Sequence, residues 1–193
     1  MKSYIQGEIT STLAMLEALA ADSEITDQVE KITRACCAAL RGGNKIIFAG
    51  NGGSAADAQH LAAELVSRFK HNRPGLPALA LTTDTSVLTA IGNDYGYECL
   101  FARQLNALST AGDVFIAIST SGRSPNVLRG LEEARRKAVV TVGLTGQPGG
   151  DMPPLCDYCI RIPSGDTAKI QEGHIVLGHI ICGLIERELF FGD

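Results

Sequence analysis

An apolar run followed by a cluster of glycines constrains the fold of this chain more than any other stretch. Residues 45–49 have the pattern of a buried parallel strand, and Gly50, Gly52 and Gly53 follow at once. Glycine adopts positive φ angles without steric cost, so these residues predict a sharp turn. An alanine-rich helix is expected to begin at Ser54, which is a candidate N-cap. The unpaired amides and the positive helix terminus of such a unit suit an anion.

Other interpretations of this turn stay open at this point. Gly50, Gly52 and Ala55 match the loose dinucleotide pattern G-x-G-x-x-G/A, with Asp84 as a ribose partner that comes later than the usual spacing. A nucleotide P-loop is excluded because no Gly-Lys-Ser/Thr follows the glycines. A tight turn that binds no ligand is the remaining alternative.

The helix after the turn carries two groups that handle protons or bind metals. His60 and Glu64 are four residues apart and therefore share one face of the helix. The stretch thus combines an anion cradle with a pair of chemically active side chains.

Strands alternate with helices along the rest of the chain. Apolar runs predict strands over residues 45–49, 78–81, 114–118, 139–144 and 158–162. Helical patterns cover residues 3–20, 24–41, 54–70, 82–91, 97–108, 125–137 and 168–190, with residues 92–96 as a loop. This alternation predicts an α/β fold with a doubly wound parallel sheet, whose ligands bind beyond the carboxyl ends of the strands. We expect one domain over 1–193, with N-terminal helices in 1–41 and the α/β core in 42–193.

The first helix has an apolar stripe although it precedes the first strand of the sheet. The stripe consists of Ile5, Ile9, Leu13, Leu16 and Leu19. We expect this helix to pack outside the core, against another subunit.

A second special turn follows the third predicted strand. Ser119, Thr120, Ser121 and Ser124 place four hydroxyls within six positions, ahead of a helix that begins at Pro125. Short hydroxyl donors beside a helix N-terminus suit a phosphate, and the absence of lysine favours a sugar phosphate over a nucleoside triphosphate. The alternative is a serine-rich turn that bonds its own backbone.

The closing helix carries a glutamine and two histidines on an otherwise apolar element. At about 100° per residue, Gln171 lies about 80° from His179 and about 60° from His174. The two histidines are about 140° apart, so they do not both face one small site. Periodicity does not choose between them, and a hydrogen-bonded structural histidine is the alternative for each.

Composition excludes some classes of partner. The net charge of −4 provides no basic footprint, so nucleic acid is not expected as the main partner. No apolar run approaches the roughly 20 residues of a membrane span, and the N-terminus lacks an apolar signal core, so we predict a cytoplasmic protein without membrane contact. Among six cysteines, Cys156 and Cys159 form the one C-x-x-C, and free thiols are expected there and elsewhere.

Several motifs taken together resemble the phosphoheptose isomerases, a family of sugar isomerase (SIS) domain proteins. The motifs are residues 50–54, Gln59, His60, Glu64, residues 73–75, residues 92–94, residues 119–121, Thr145, Gly146 and residues 170–172. The resemblance covers nearly the whole chain and implies a three-layer α/β/α fold with a five-stranded parallel sheet. It also implies a homotetramer with active sites near subunit contacts.

The resemblance further implies an activity and a set of site residues. The family converts sedoheptulose 7-phosphate into D-glycero-D-manno-heptose 7-phosphate, early in the supply of heptose for lipopolysaccharide. The implied substrate contacts are Asn51, Gly52, Gly53, Ser54, Glu64, Asn93, Asp94, Ser119, Thr120, Ser121, Ser124, Asp166 and Gln171. One zinc ion per subunit would be held by His60, Glu64, Gln171 and His179, which selects His179 over His174. Glu64 and His179 are the implied acid–base pair of an enediol reaction.

A non-catalytic protein of the same fold is the alternative. A tetrameric adaptor that associates with a replication initiator resembles the isomerases but lacks parts of their metal and catalytic set. This chain has Glu64 and His179, which a binding module would not need. The sequence therefore favours the enzyme.

Overall fold

Strands and helices alternate along residues 1–192, the part of the chain described by the computed structural model. The strands are β1 (Ile46–Gly50), β2 (Ala78–Ala80), β3 (Val114–Ile118), β4 (Val140–Gly146) and β5 (Tyr158–Ile162). The α-helices are α1 (Lys2–Ala21), α2 (Ser23–Arg41), α3 (Gly53–Val66), α4 (Thr85–Tyr95), α5 (Leu100–Leu108), α6 (Pro125–Arg136) and α7 (Thr167–Phe190). Short 3₁₀ helices lie at Tyr97–Cys99 and Pro153–Leu155.

All five strands form one parallel sheet in the order β2-β1-β3-β4-β5. From β1 the chain first winds to β2 at one edge and then returns to β3 on the other side of β1. The topological switch point therefore lies between β1 and β3, which is where open α/β sheets bind ligands. The predicted doubly wound parallel sheet is confirmed.

Helices cover both faces of this sheet. Side chains alternate along β1, so Ile46 and Phe48 join a core with buried residues of α1, α2, α3 and α7. Ile47 and Ala49 point to the other face, where α4, α5 and α6 pack. Strand β1 is buried along its whole length, as expected for a parallel strand covered on both faces. The three-layer α/β/α architecture is confirmed.

Three predicted boundaries were wrong, each because of contacts distant in sequence or a special backbone angle. Helix α3 ends at Val66 rather than at residue 70, because Arg73 bonds the carbonyl groups of its last turn. The predicted loop over 92–96 is largely helical, since α4 continues through Tyr95 and ends at Gly96, where φ is +89°. Strand β4 continues through the predicted turn residue Gly146, whose amide bonds the Thr120 carbonyl.

Two predicted roles at helix N-termini also need correction. Gly52, with φ of +57°, is the N-cap of α3, and Ser54 lies inside the helix and is buried. Asp84, considered above as a ribose partner, caps α4 by accepting a hydrogen bond from the Val87 amide. A capping carboxylate has a structural role, which removes the main support for the dinucleotide interpretation.

Helix α1 divides its apolar stripe between the core and the surface. Leu19 of the stripe is buried in the core together with Met15, so the expectation that α1 packs outside the core was only partly right. Ile5, Ile9 and Leu13 are each more than half exposed. Within residues 1–192, none of the helices combines the length and the apolar character that crossing a bilayer requires.

Candidate active site

The two special turns are neighbours at the carboxyl edge of the sheet. Gly50 at the end of β1 pairs in register with Ile118 at the end of β3. The glycine turn after β1 and the hydroxyl turn after β3 therefore begin side by side at the switch point.

Asn51 in the glycine turn is held by two residues that sequence analysis did not single out. Its side chain exchanges two hydrogen bonds with Asn126 of α6, at 2.9 and 2.8 Å. The Tyr97 hydroxyl also donates to Asn51 Oδ1, at 3.0 Å. An amide in the first turn of a helix gives no sequence signal for such a pairing, which is why Asn126 was missed.

The hydroxyl turn is partly occupied by its own hydrogen bonds. Ser119 is buried, and its Oγ lies 3.0 Å from Ser124 Oγ. Ser124 occupies the N-cap position of α6 but makes no side-chain cap. Ser121 is exposed and accepts a bond from the Arg123 amide at 3.2 Å, as the self-bonding alternative predicted.

The end of β4 and the loop after it contact the hydroxyl turn through backbone hydrogen bonds. The Thr120 carbonyl accepts the Gly146 amide at 3.0 Å, and the Gly122 carbonyl accepts the Asp151 amide at 2.8 Å. Gly122 has φ of +64°, and a Cβ there would come within 1.9 Å of the Gly149 carbonyl oxygen. These backbone contacts with residues 146–151 therefore fix the position of the hydroxyl turn.

Helices α3 and α7 bring three candidate metal ligands together. His60 Nε2 lies 2.8 Å from His179 Nε2 and 3.3 Å from Glu64 Oε1. One ligand atom from each of the three side chains fits within a 4.8 Å span. His60 is exposed, and Glu64 and His179 are half-buried, so this triad is accessible from solvent. Burial raises the pKa of Asp57, whose carboxyl lies one turn before His60, although the charge of His60 opposes this rise.

A buried ion pair holds the segment that covers His179. Glu186 of α7 accepts hydrogen bonds from the amides of Phe69, Lys70 and His71, and from Arg73 Nε at 3.1 Å. Burial alone would raise the pKa of Glu186, but these amides and the Arg73 charge hold the pKa below its usual value. The Phe69 ring stacks on His179 with 5.5 Å between ring centroids. The ion pair thus positions one wall of the triad.

His174, the other histidine of α7, has a structural environment. It is 1% exposed and donates its Nε2 hydrogen to the Thr145 carbonyl at 3.2 Å. Burial lowers the pKa of His174 to about 4, despite the opposing effect of that bond, so the ring is neutral at physiological pH. The structure therefore brings His179, and not His174, to His60 and Glu64.

Comparison with known proteins identifies the family to which this chain belongs. The family model described as SIS domain matches residues 10–146. A phosphoheptose isomerase from Aneurinibacillus thermoaerophilus is 57% identical over 190 residues, which cover 98% of this chain and 96% of that protein. Phosphoheptose isomerase 2 from Campylobacter jejuni is 53% identical, over 98% of this chain and 94% of that protein. This chain belongs to the phosphoheptose isomerase family of SIS-domain proteins.

Solved structures of the family share the whole fold. The phosphoheptose isomerase GmhA from Neisseria gonorrhoeae superposes with a TM-score of 0.90 and 37% identity, covering 96% of this chain and 98% of that one. A phosphoheptose isomerase from Francisella tularensis gives a TM-score of 0.92 and 34% identity, covering 96% and 97%. The α/β core and the N-terminal helices are thus common to the family.

The remaining residues implied by the family resemblance are spread more widely. Gln171 packs on the start of α3, where a Cβ at Gly53 would lie 2.5 Å from Gln171 Nε2. Because Gln171 precedes His179 by eight residues, about 12 Å of helix rise separates them, and its role as a metal ligand stays a prediction. Asn93 and Asp94 are exposed on α4 and bond each other at 2.7 Å. The Asp166 carboxylate caps α7 by accepting from two backbone amides, so it already has a structural role.

Two cavities adjoin these groups. One of about 480 Å³ lies beside the glycine turn and is bounded by Asn51, Gly52, Gly92 and Tyr97, among others. Another of about 610 Å³ has His179 and Phe69 in its wall. Within one chain, the glycine turn and His179 of the triad therefore border different cavities. All six cysteines, including Cys156 and Cys159, are free thiols.

Proposed function

We propose that this protein is an aldose–ketose isomerase that converts sedoheptulose 7-phosphate into D-glycero-D-manno-heptose 7-phosphate, early in heptose supply for lipopolysaccharide. The observation that carries the proposal is the approach of His60, Glu64 and His179 in a chain that is 57% identical to a phosphoheptose isomerase. The relatives named above are isomerases, which favours the enzyme over the adaptor. The reaction requires a proton to move between C1 and C2 and another between the two oxygens.

Glu64 and His179 are our candidates for these transfers. Both are half-buried, so they are accessible to a sugar and yet partly shielded from water. A carboxylate and an imidazole form a suitable base and acid when positioned beside the carbons and the oxygens. The phosphate would bind at the hydroxyl turn, where Ser119, Thr120, Ser121 and Ser124 supply donors beside the N-terminus of α6.

The triad also fits a zinc ion. Two imidazole nitrogens and a carboxylate oxygen are ligands that zinc accepts in a tetrahedral site, and these three lie within 4.8 Å of one another. His60, Glu64 and His179 would hold the ion. The proposed fourth ligand, Gln171, would come from another subunit, because about 12 Å of helix rise separates it from His179 in one chain. When bound, zinc would polarise a carbonyl oxygen as a Lewis acid.

We further propose a homotetramer whose active sites lie near subunit contacts. The exposed Ile5, Ile9 and Leu13 of α1 support an interface, because a contiguous apolar stripe is unfavourable in water. Seven residues of α3, or about 10 Å of helix rise, separate Gly53 in the turn from His60 in the triad. That separation is consistent with a second subunit completing each site. A cytoplasmic location, without membrane or nucleic-acid partners, remains a prediction.

Isomerisation in deuterated solvent tests the proposed activity. Purified protein is incubated with sedoheptulose 7-phosphate in D₂O, and NMR follows the appearance of the aldose and of deuterium at its C2. An enediol route introduces solvent deuterium there, and Glu64→Gln should lower both turnover and deuterium incorporation by roughly 10² to 10⁴. Wild-type protein that binds the sugar phosphate without turnover or exchange would instead indicate the adaptor.

A further inference from the structure

Asn51 and Asn126 form a head-to-tail pair of side-chain amides across the switch point. Asn51 Nδ2 donates to Asn126 Oδ1 at 2.9 Å, and Asn126 Nδ2 donates back to Asn51 Oδ1 at 2.8 Å. Asn126 is 1% exposed, so its amide has no access to water and depends on this partner. Removing either partner would leave a buried polar group unsatisfied, which is costly.

Tyr97 completes the hydrogen bonding of the Asn51 oxygen. A carboxamide oxygen has two lone pairs, and here they accept from Asn126 Nδ2 and from the Tyr97 hydroxyl at 3.0 Å. The amide plane of Asn51 is therefore fixed from two sides. Of the polar hydrogens on its side chain, one Nδ2 hydrogen has no partner within residues 1–192 and is available to a ligand.

The pair also joins the two turns that would bind substrate. Asn51 follows β1 in the glycine turn, and Asn126 is the second residue of α6, directly after the hydroxyl turn. Strands β1 and β3 set the spacing of the turns in the sheet, but the turns themselves extend beyond the ladder. Beyond the ends of the strands, the amide pair directly links the glycine turn to the first residues of α6, which follow the hydroxyl turn.

We infer that Asn126 is a positioning residue for substrate binding, acting through Asn51, and that Tyr97 assists it from the other side. The inference rests on the proposed function, because it assigns the free Asn51 hydrogen and the two turns to the sugar phosphate. Asn126 uses one Nδ2 hydrogen and its Oδ1 to bond Asn51 and is only 1% exposed, so its effect on substrate is indirect. Preorganised donors bind without the cost of ordering them.

A double-mutant cycle on substrate binding tests this role. Asn126→Ala should raise KM for the heptose phosphate on the order of tenfold while changing kcat less, within the range of coupled contacts. In an Asn51→Ala background, Asn126→Ala should produce no further rise, because the residue through which it acts is gone. An equal rise in both backgrounds would overturn the inference, since it would mean an effect independent of Asn51.

Tyr97→Phe provides a second test of how Asn51 is positioned, and it does not require substitution of a buried residue. Tyr97 is 62% exposed, so removing its hydroxyl should leave the fold intact. We expect a smaller rise in KM than for Asn126→Ala, again absent when Asn51 is alanine. A Tyr97→Phe effect that persists in that background would contradict the arrangement.

Gln104→Leu is the matched control for loss of a buried amide. Gln104 is 6% exposed and donates hydrogen bonds to the carbonyls of Leu81, just after β2, and Leu100, in α5, neither of which belongs to the two turns. This variant should lower the melting temperature while leaving KM unchanged. An equal rise in KM for Gln104→Leu and Asn126→Ala would mean that general destabilisation causes the effect of Asn126→Ala. That result would overturn the proposal.

Amide exchange of Asn51 separates this inference from the proposed activity. Whether or not the wild type turns over heptose phosphate, the Asn51 Nδ2 hydrogen that bonds Asn126 should exchange slowly in NMR. Exchange should accelerate in Asn126→Ala, because the bonded hydrogen is released. Equal exchange in both proteins would exclude the pairing, whereas absent turnover with protected hydrogens would count against the proposed function alone.

Discussion

The Nε2 atoms of His60 and His179 lie 2.8 Å apart, although 119 positions separate the two residues in the chain. His60 is on α3 and His179 is on α7, and both helices pack on the same face of the sheet. Their side chains meet where Glu64, one turn along α3, adds a carboxylate oxygen 3.3 Å from His60 Nε2. The contact therefore depends on how two helices dock, and a change at one histidine should affect the other.

Loss of His60 should lower metal content and thermal stability together. His60→Ala removes one of three clustered candidate ligands, and an ion that binds only the folded form stabilises it by mass action. Elemental analysis and thermal unfolding of protein purified without chelator measure both effects. His71→Ala is the control, because that exposed histidine lies outside the triad and its ring contacts Phe191. Equal zinc content in the two variants would exclude His60 as a ligand.

Removing either member of the proposed catalytic pair, Glu64 and His179, should reduce turnover far more than substrate affinity. Glu64→Gln and His179→Gln keep size and polarity but lose the group that transfers a proton. Each should lower kcat by roughly 10² to 10⁴. If the two residues act as a unit, as we propose, the double variant should be little worse than either single one. Near-normal turnover of His179→Gln, measured with the metal site occupied, would assign the acid role to another group.

Ser119→Ala combined with Ser121→Ala should weaken binding of the sugar phosphate. Ser119 is buried and bonds Ser124, whereas Ser121 is exposed. The two substitutions therefore remove one buried and one exposed hydroxyl of the turn. Calorimetric titration with the heptose phosphate measures the loss. Ser109→Ala is the control, because the Ser109 hydroxyl bonds a carbonyl at the end of α5. Unchanged affinity in the double variant would remove the phosphate assignment.

Breaking the buried ion pair should destabilise the fold and disturb the triad. Arg73→Ala leaves the carboxylate of Glu186, which is 1% exposed, without its charge partner, and such losses cost about 3–5 kcal/mol. Chemical unfolding measures this cost. The zinc content should also fall, because the freed segment carries the Phe69 ring that stacks on His179. Arg68→Ala, at an exposed position, should have little effect on stability, and an equal loss there would contradict the assignment.

Stability should decline in acid because of His174. Its pKa is near 6.5 when unfolded and about 4 when folded, since burial disfavours the charged ring. The contribution is fully present above pH 6.5 and is lost as the pH falls from 6.5 towards 4, by about 3 kcal/mol in total. His174→Gln can still donate to the Thr145 carbonyl but does not titrate. Urea unfolding at pH 7.5 and 4.5 should show a smaller pH dependence in the variant, and identical dependence would exclude His174 as the cause.

Local patterns were sufficient for most of the fold. The buried run before Gly50 and the alternation of strands with helices predicted the parallel sheet, because side-chain periodicity reflects which faces are covered. His60 and Glu64 were placed on one helical face by their spacing alone. The boundary errors at Val66, Tyr95 and Gly146 arose where distant contacts or a glycine backbone angle decide the end of an element.

The choice between His174 and His179 shows what the sequence by itself determined and what it left to tertiary structure. Helical arithmetic established that the two histidines point in different directions, since that angle depends only on one helix. Which direction faces the Thr145 carbonyl and which faces His60 depends on how α7 docks on the sheet and on α3. The hydrogen-bonded pairing of Asn51 with Asn126 could not be predicted from the sequence for the same reason. Such contacts arise from the packing of elements far apart in the chain, which no local period encodes.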